Sequence, residues 1–261
     1  MVRPTQGPNS TMTRYRLPCL IFPLLAAILL VRTGWGLSEV ADVLRVAEFS
    51  SLSATDGIPE HWTEMTFPKI KRRTRYELVR DNGRTVLKAH SRAAASGLIR
   101  GMPIDPRRRP WLRWSWRIQN TLEKGDVTRK EGDDYPARIY VAFAFEAHKA
   151  GWWERLRYQA ACLGAGRELP GTVLNYIWAN QAPEGLMVDN PFAPQAKMVV
   201  VRSGSQQAGQ WMAERLNMVE DYRKAFGRPP PAIIGVAVMT DTDNTGEEAV
   251  AYYGDIVMTA E

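Results

Sequence analysis

The sequence predicts a mainly β protein, an antiparallel two-sheet β-sandwich with two helical insertions, and three observations predict it. Apolar and polar residues alternate with period two through Trp111–Gln119 and Ala137–Phe145, the pattern of a strand with one face in a core. Turn-forming residues punctuate the chain at the short intervals of an all-β domain. There is no strict strand-then-helix alternation and no internal repeat, which argues against a parallel α/β sheet.

The first 36 residues stand apart. Arg14 and Arg16 precede the apolar run Leu17–Val31, and Gly34-Trp35-Gly36 closes it; charged, apolar and small regions in that order make a secretory signal. Cleavage is expected after Gly36, leaving residues 37–261 as a single periplasmic or secreted domain. The run falls short of the roughly 20 apolar residues of a membrane span and contains Pro23. An uncleaved anchor is the alternative, and membrane contact is expected only in that case. Residues 1–36 hold four of the 34 Lys and Arg and none of the 28 Asp and Glu, so the formal net charge of +6 falls to +2 in the remainder. A global case for nucleic-acid binding falls with it. The mature chain keeps one cysteine, Cys162, which has no intramolecular disulfide partner, so stability must come from the core or from a bound ion.

The elements follow in order. An entry strand is expected around Val46–Phe49, with Glu48 beside it, then a loop through Gly57-Ile58-Pro59 and an aromatic return at Trp62. Thr74–Val79 and Thr85–Ala89 flank Asp81-Asn82-Gly83, a hairpin, because Asn-Gly supplies the positive φ values of a tight primed turn. Ala93–Leu98 leads to Ile99 and Ile104, and Arg107-Arg108-Arg109 reads as a solvated turn. Trp111–Gln119 sorts Leu112, Trp114, Trp116 and Ile118 onto a core face, with Arg113, Ser115, Arg117 and Gln119 opposite. In Ala137–Phe145 the core face is Ile139, Val141, Phe143 and Phe145. Trp152–Leu163 reads as an inserted helix with an apolar stripe of Trp152, Trp153, Leu156 and Leu163, covering an edge or lining a cleft. Four more strands are expected at Val173–Asn180, Ala196–Val201, Ala232–Thr240 and Ala249–Thr259. A second helix is expected at Gln210–Phe226, stopped by Gly227 and Pro229-Pro230-Pro231.

The stretch around which these elements are organised is 131–145, where Asp133 and Asp134 enter a strand whose non-core face carries Arg138 and Tyr140 ahead of Ala142 and Ala144. A cation and a phenol followed by small residues leave room for a ligand on a concave sheet. If the strands of Arg113 and Arg138 pair as a hairpin, Arg113, Arg117 and Arg138 share one face. They would then either pair with Asp133 and Asp134 or grip an acidic glycan by bidentate hydrogen bonds, with Tyr140, Tyr176 and Trp178 as further contacts.

Several stretches together resemble an exported bacterial family known only as domain of unknown function 3047. They are Trp114-Ser115-Trp116, Gly132-Asp133-Asp134 with Arg138-Ile139-Tyr140, Asn175-Tyr176-Ile177-Trp178, Glu220-Asp221-Tyr222 with Phe226-Gly227, Asp241-Thr242-Asp243-Asn244-Thr245, and Tyr253-Gly254-Asp255-Ile256. The resemblance implies one domain and no assigned activity. A weaker one, to the galactose-binding-like jelly rolls of carbohydrate-binding modules, rests on Glu48, Phe49 and Trp62 with Tyr253, Asp255, Ile256 and Val257. It implies that the two-sheet sandwich is jelly-roll-like and holds a structural calcium, with Glu48 and Asp255 as the matching carboxylates; no other cofactor is expected.

His61, His90 and His148 are the only histidines, none at metal-ligand spacing, and no nucleophile-elbow, zinc-protease, phosphate-loop or dinucleotide motif is present. The remaining catalytic candidates are the carboxylates Asp133, Asp134, Asp241 and Asp243, which would serve a glycosidase if the fold set two of them about 5 to 10 Å apart. Asp241-Thr242-Asp243-Asn244-Thr245-Gly246 is also good turn chemistry and a source of oxygens for a hard cation. The sequence therefore reads as an exported domain binding a glycan or other polar ligand, without an evident catalytic apparatus. The alternatives are a polysaccharide-acting enzyme with paired carboxylates and a non-catalytic scaffold of the cell envelope.

Overall fold

Both alternating segments form strands in the computed structural model, which describes residues 43–165 and 169–261. The signal expected at 1–36 lies outside the described residues. Those described belong to one compact unit, Glu39–Glu261, and none of their helices is long and apolar enough to cross a membrane.

Two sheets form the domain. The first runs in the order β12 (Met212–Asn217), β7 (Trp111–Ile118), β14 (Glu248–Thr259), β5 (Arg84–Arg92), β4 (Arg75–Asp81) and β2 (Thr55–Asp56), with β1 (Leu44–Ala47) also on β14. The second runs β10 (Met187–Asp189), β11 (Ala196–Ser203), β9 (Thr172–Ala179), β8 (Arg138–Phe143), β13 (Ile233–Asp241), β6 (Ala95–Ile104) and β3 (Thr63–Met65). The long strands β5, β6, β7 and β8 alternate between the sheets, and β13 and β14 do so again, as in a jelly roll. All pairings are antiparallel except that of β9 with β11, because β10 reverses the chain between them. The β4–β5 hairpin turns through Asn82 and Gly83, with φ of 48° and 82°, and pairs Asp81 with Arg84, as the Asn-Gly signal requires.

The core lies between the sheets. Leu112, Trp114, Trp116 and Ile118 point inward from β7 and meet Ile139, Val141 and Phe143 of β8 and Leu174, Tyr176 and Trp178 of β9. Aromatic rings bridge the layers, Trp114 with Tyr176 at 5.6 Å and Trp116 with Trp178 at 5.8 Å between centroids. Burial on this scale dominates the stability of a domain this size.

Four expectations need correction. Strands β7 and β8 do not form a hairpin: the long connection 119–137 carries the chain from the first sheet to the second, whereas hairpin loops have about 2–5 residues. Strand β8 ends at Phe143, so Phe145 leaves the core and stacks on Tyr158 at 3.9 Å. The helix expected from Gln210 begins only with α2 (Met218–Phe226), where Asn217 accepts hydrogen bonds from the N–H groups of Val219 and Glu220. The segment before it is the edge strand β12, whose alternation turns Glu214 inward to Trp116 Nε1 and Arg202. The inserted helix α1 (Trp152–Ala165) forms as expected, but Trp152, Trp153 and Leu163 are 66%, 67% and 83% exposed. Its inward side is instead Glu154, Arg157, Tyr158 and Ala161.

Candidate functional site

The outer face of the second sheet is a cleft of about 1240 Å³. Tyr140 and Ala142 of β8, Val173 and Asn175 of β9, and Ala237 and Met239 of β13 form its floor. Small residues on the central strands keep that floor low. The 67–70 loop, the 190–196 loop and α1 supply walls. The volume exceeds the roughly 300–1,000 Å³ of most small-molecule pockets, room for an extended ligand.

One end of the cleft is charged. Strands β8 and β13 are antiparallel neighbours with Arg138 opposite Met239, so the entry to β8 and the exit from β13 coincide, and Asp133, Asp241, Asp243 and Asn244 gather there. Gly132 is needed just before Asp133, since a Cβ there would lie 2.6 Å from the backbone nitrogen of Asp126. Arg138 is buried at the centre. Its Nε donates to Asp241 Oδ1 at 2.7 Å and its Nη2 to Asp241 Oδ2. Nη2 also donates to the Asp133 carbonyl at 2.5 Å and Nη1 to the Tyr140 hydroxyl at 3.1 Å. The Tyr135 ring lies 4.3 Å from the guanidinium carbon.

The carboxylates outnumber this cation. Asp134 accepts from Asn244 Nδ2 at 2.9 Å and from the Thr245 N–H at 2.6 Å. Asp133 Oδ2 accepts from Asn190 Nδ2 at 2.9 Å, while Oδ1 is buried with no hydrogen-bond donor, the nearest charge being Arg138 Nη1 at 3.6 Å. Burial pushes the carboxyls of Asp133, Asp241 and Asp243 up in pKa; Arg138 opposes this at all three, and for Asp243 the Asp134 carboxylate adds to it. Oxygens of Asp134, Asp241 and Asp243 lie within 4.8 Å of one another, the arrangement among the described residues with which a hard cation could be held.

Asn175 is the residue that sequence reasoning passed over. It is 1% exposed, it lines the cleft opposite Tyr140, and its Oδ1 has no donor. The available signal was parity: in Asn175-Tyr176-Ile177-Trp178 adjacent residues must face opposite ways, and the aromatic pair belongs to the core. Tyr176 therefore points inward and donates to Asp221 at 3.1 Å, and Trp178 points inward and donates to the Gly204 carbonyl at 3.0 Å. Neither reaches the cleft.

Of the other expected site residues, Asp133, Arg138, Tyr140, Asp241 and Asp243 line the cleft, with Asp134 just behind. Arg113 and Arg117 do not join them, because β7 belongs to the other sheet. Arg117 pairs there with Asp81 at 3.0 Å. The shared arginine face for an acidic ligand is therefore absent, and Arg138 is taken up by internal partners. Glu48 and Asp255, the expected calcium carboxylates, are also engaged separately: Asp255 accepts from the Ser50 N–H at 2.9 Å and from its hydroxyl, and Glu48 faces Arg45 at 3.4 Å.

The family described as Protein of unknown function (DUF3047) matches residues 60–257. The chain belongs to this DUF3047 family. No curated protein matches it. Among solved structures, a mutant of the family 29 carbohydrate-binding module CBM29-2 aligns with 84% of this chain and 93% of its own at 7% identity and a TM-score of 0.35. The glycoside hydrolase domain of Endo-D (Spr0440) from Streptococcus pneumoniae R6 aligns with 77% of this chain and 21% of its own, at 11% identity and a TM-score of 0.31. At these scores neither likeness bears on the ligand of this DUF3047 member.

Proposed function

We propose that this DUF3047 domain is an exported, periplasmic or secreted binding module whose cleft holds a polyhydroxylated ligand, a glycan. The observation that carries the reading is Asn175, an amide buried in the cleft floor whose oxygen has no donor. Leaving a buried acceptor unmade costs about 1–3 kcal/mol, a cost that a ligand hydroxyl would relieve. Asp133 Oδ1 is a second acceptor in the same position. The stacked pair Phe145 and Tyr158, with Phe67 and Phe192 in the walls, offers apolar surface to the faces of sugar rings.

The test pairs affinity with stability. Asn175→Val removes the unmet acceptor and suits a strand, so it should abolish oligosaccharide binding in calorimetry while raising the unfolding free energy by about 1 kcal/mol. Unchanged binding by a folded Asn175→Val protein would end the proposal. A second reading, hydrolysis of a bound polysaccharide, is favoured by Asp133 and Asp243 sharing one end of the cleft with raised proton affinity, as a general acid requires. Release of reducing ends, lost in Asp243→Asn, would establish it. Intact mass of the mature protein tests export: residues 1–36 should be missing.

A further inference from the structure

The cleft's charged end says more about the ligand than its hydroxyls. Four carboxylates, Asp133, Asp134, Asp241 and Asp243, meet there, and among the described residues Arg138 is the one cation in ion-pair contact with any of them. Its guanidinium is directed at Asp241, the Asp133 carbonyl and Tyr140. Among the described residues Asp243 takes no hydrogen bond from another residue, and Asp133 Oδ1 has no donor at hydrogen-bond distance although Asp133 is only 5% exposed; the Tyr135 hydroxyl acts on that carboxyl as well. Lys69 and Arg157 also line the cleft, and among the described residues they make no ion pair with these groups. The unmet atoms at this end are therefore carboxyl oxygens, in a group where carboxyls outnumber cations.

Resting on the reading of the cleft as a glycan site, we infer that the ligand presents a primary ammonium to the Asp133 and Asp243 end, which makes its class an unacetylated amino-sugar polymer. An ammonium brings three donors and one positive charge to a place that has acceptors and lacks charge. A hydroxyl brings one donor and no charge. An N-acetyl group brings one donor, no charge and a carbonyl oxygen that meets carboxylates with repulsion. A uronate is worse still, since it adds a like charge to a partly buried anionic cluster.

The experiment is calorimetry on the full mature chain, stripped of metal with a chelator, against three oligosaccharides of equal length: glucosamine, N-acetylglucosamine and glucose. The glucosamine oligomer should bind about tenfold more tightly than the other two. That margin should shrink in about 0.5 M salt and disappear in Asp243→Asn, with Asp133→Asn as the companion variant, while Asn175→Val should abolish binding of all three. Equal or tighter binding of the acetylated oligomer overturns the ammonium and leaves the glycan cleft standing. Binding of none of the three overturns the cleft reading itself. A third outcome, stoichiometric calcium uptake by the stripped protein with loss of the amine preference, also overturns the ammonium, because the metal would then hold the place assigned to it.

Discussion

Arg117 and Arg138 occupy the same position in the sequence pattern, a cation on the polar side of an alternating strand, and the fold puts them to opposite uses. Arg117 lies on the outer face of the first sheet, its guanidinium carbon 4.2 Å from the Tyr252 ring centroid and 5.4 Å from that of Trp211, with Asp81 as counter-ion. Its side chain is 18% exposed, and two other cations of that sheet are likewise matched, Lys88 with Glu77 and Arg92 with Glu248. Arg138, 3% exposed, sits in a group where carboxylates exceed cations. On the first face Arg117, Lys88 and Arg92 each meet a carboxylate; on the second, carboxylates exceed cations. Alternation shows that a residue points away from the core; only the pairing partners show whether it faces solvent or a cleft.

The largest expected effect breaks this contrast at Arg138. Arg138→Ala should cost about 3–5 kcal/mol in urea unfolding, because it leaves Asp241 buried and uncompensated. Arg117→Ala should cost only about 1 kcal/mol, the loss of ring contacts and a partly solvated ion pair. A similar loss in both would mean that the second sheet has no special electrostatic role. A third effect sharpens the contrast through pH. Asp133, Asp241 and Asp243 have folded pKa values above their unfolded ones, with burial the main cause. Each binds its proton more tightly when folded, so its contribution to stability is greatest below the unfolded value, near pH 4, and is lost as pH rises through the folded value. Asp243→Asn should flatten that decline in melting temperature. On the first sheet the sign reverses: the hydrogen bonds from Arg92 and His90 hold Glu248 down to about 2. Its contribution is present above about pH 4.5 and is lost as pH falls toward 2, a small effect at an exposed pair. The smallest, Gly83→Ala, should cost about 1 kcal/mol, since φ is 82° there.

The parts of this molecule that were legible in the sequence are those set by local geometry. Period-two alternation assigned the inward faces of β7 and β8 correctly, and Asn-Gly located the hairpin, because each signal is complete within a few residues. Asp133 and Asp241 were legible as candidates for a related reason: carboxylates before one strand and after another meet when those strands are antiparallel neighbours. Which strands are neighbours was not legible, and it separated Arg113 and Arg117 from Arg138. Tyr176 and Trp178 misled because aromatic residues serve a core and a ligand platform equally well, so that the less conspicuous Asn175 between them and the cleft was missed. The stripe Trp152, Trp153, Leu156 and Leu163 misled in the same way, since helical spacing identifies a face without saying what covers it.

The pairing of β1 with β14 has a mechanical consequence. Leu44 lies opposite Met258, so the described chain enters and leaves at the same end of the same sheet, while the cleft opens on the outer face of the other. A load drawn between residue 43 and the C-terminus opens the β1–β14 ladder one rung at a time, the weak direction for two antiparallel strands. The cleft floor, built from β8, β9 and β13, lies outside that path. Loading residue 43 against the C-terminus would therefore open β1 first and leave the cleft floor assembled.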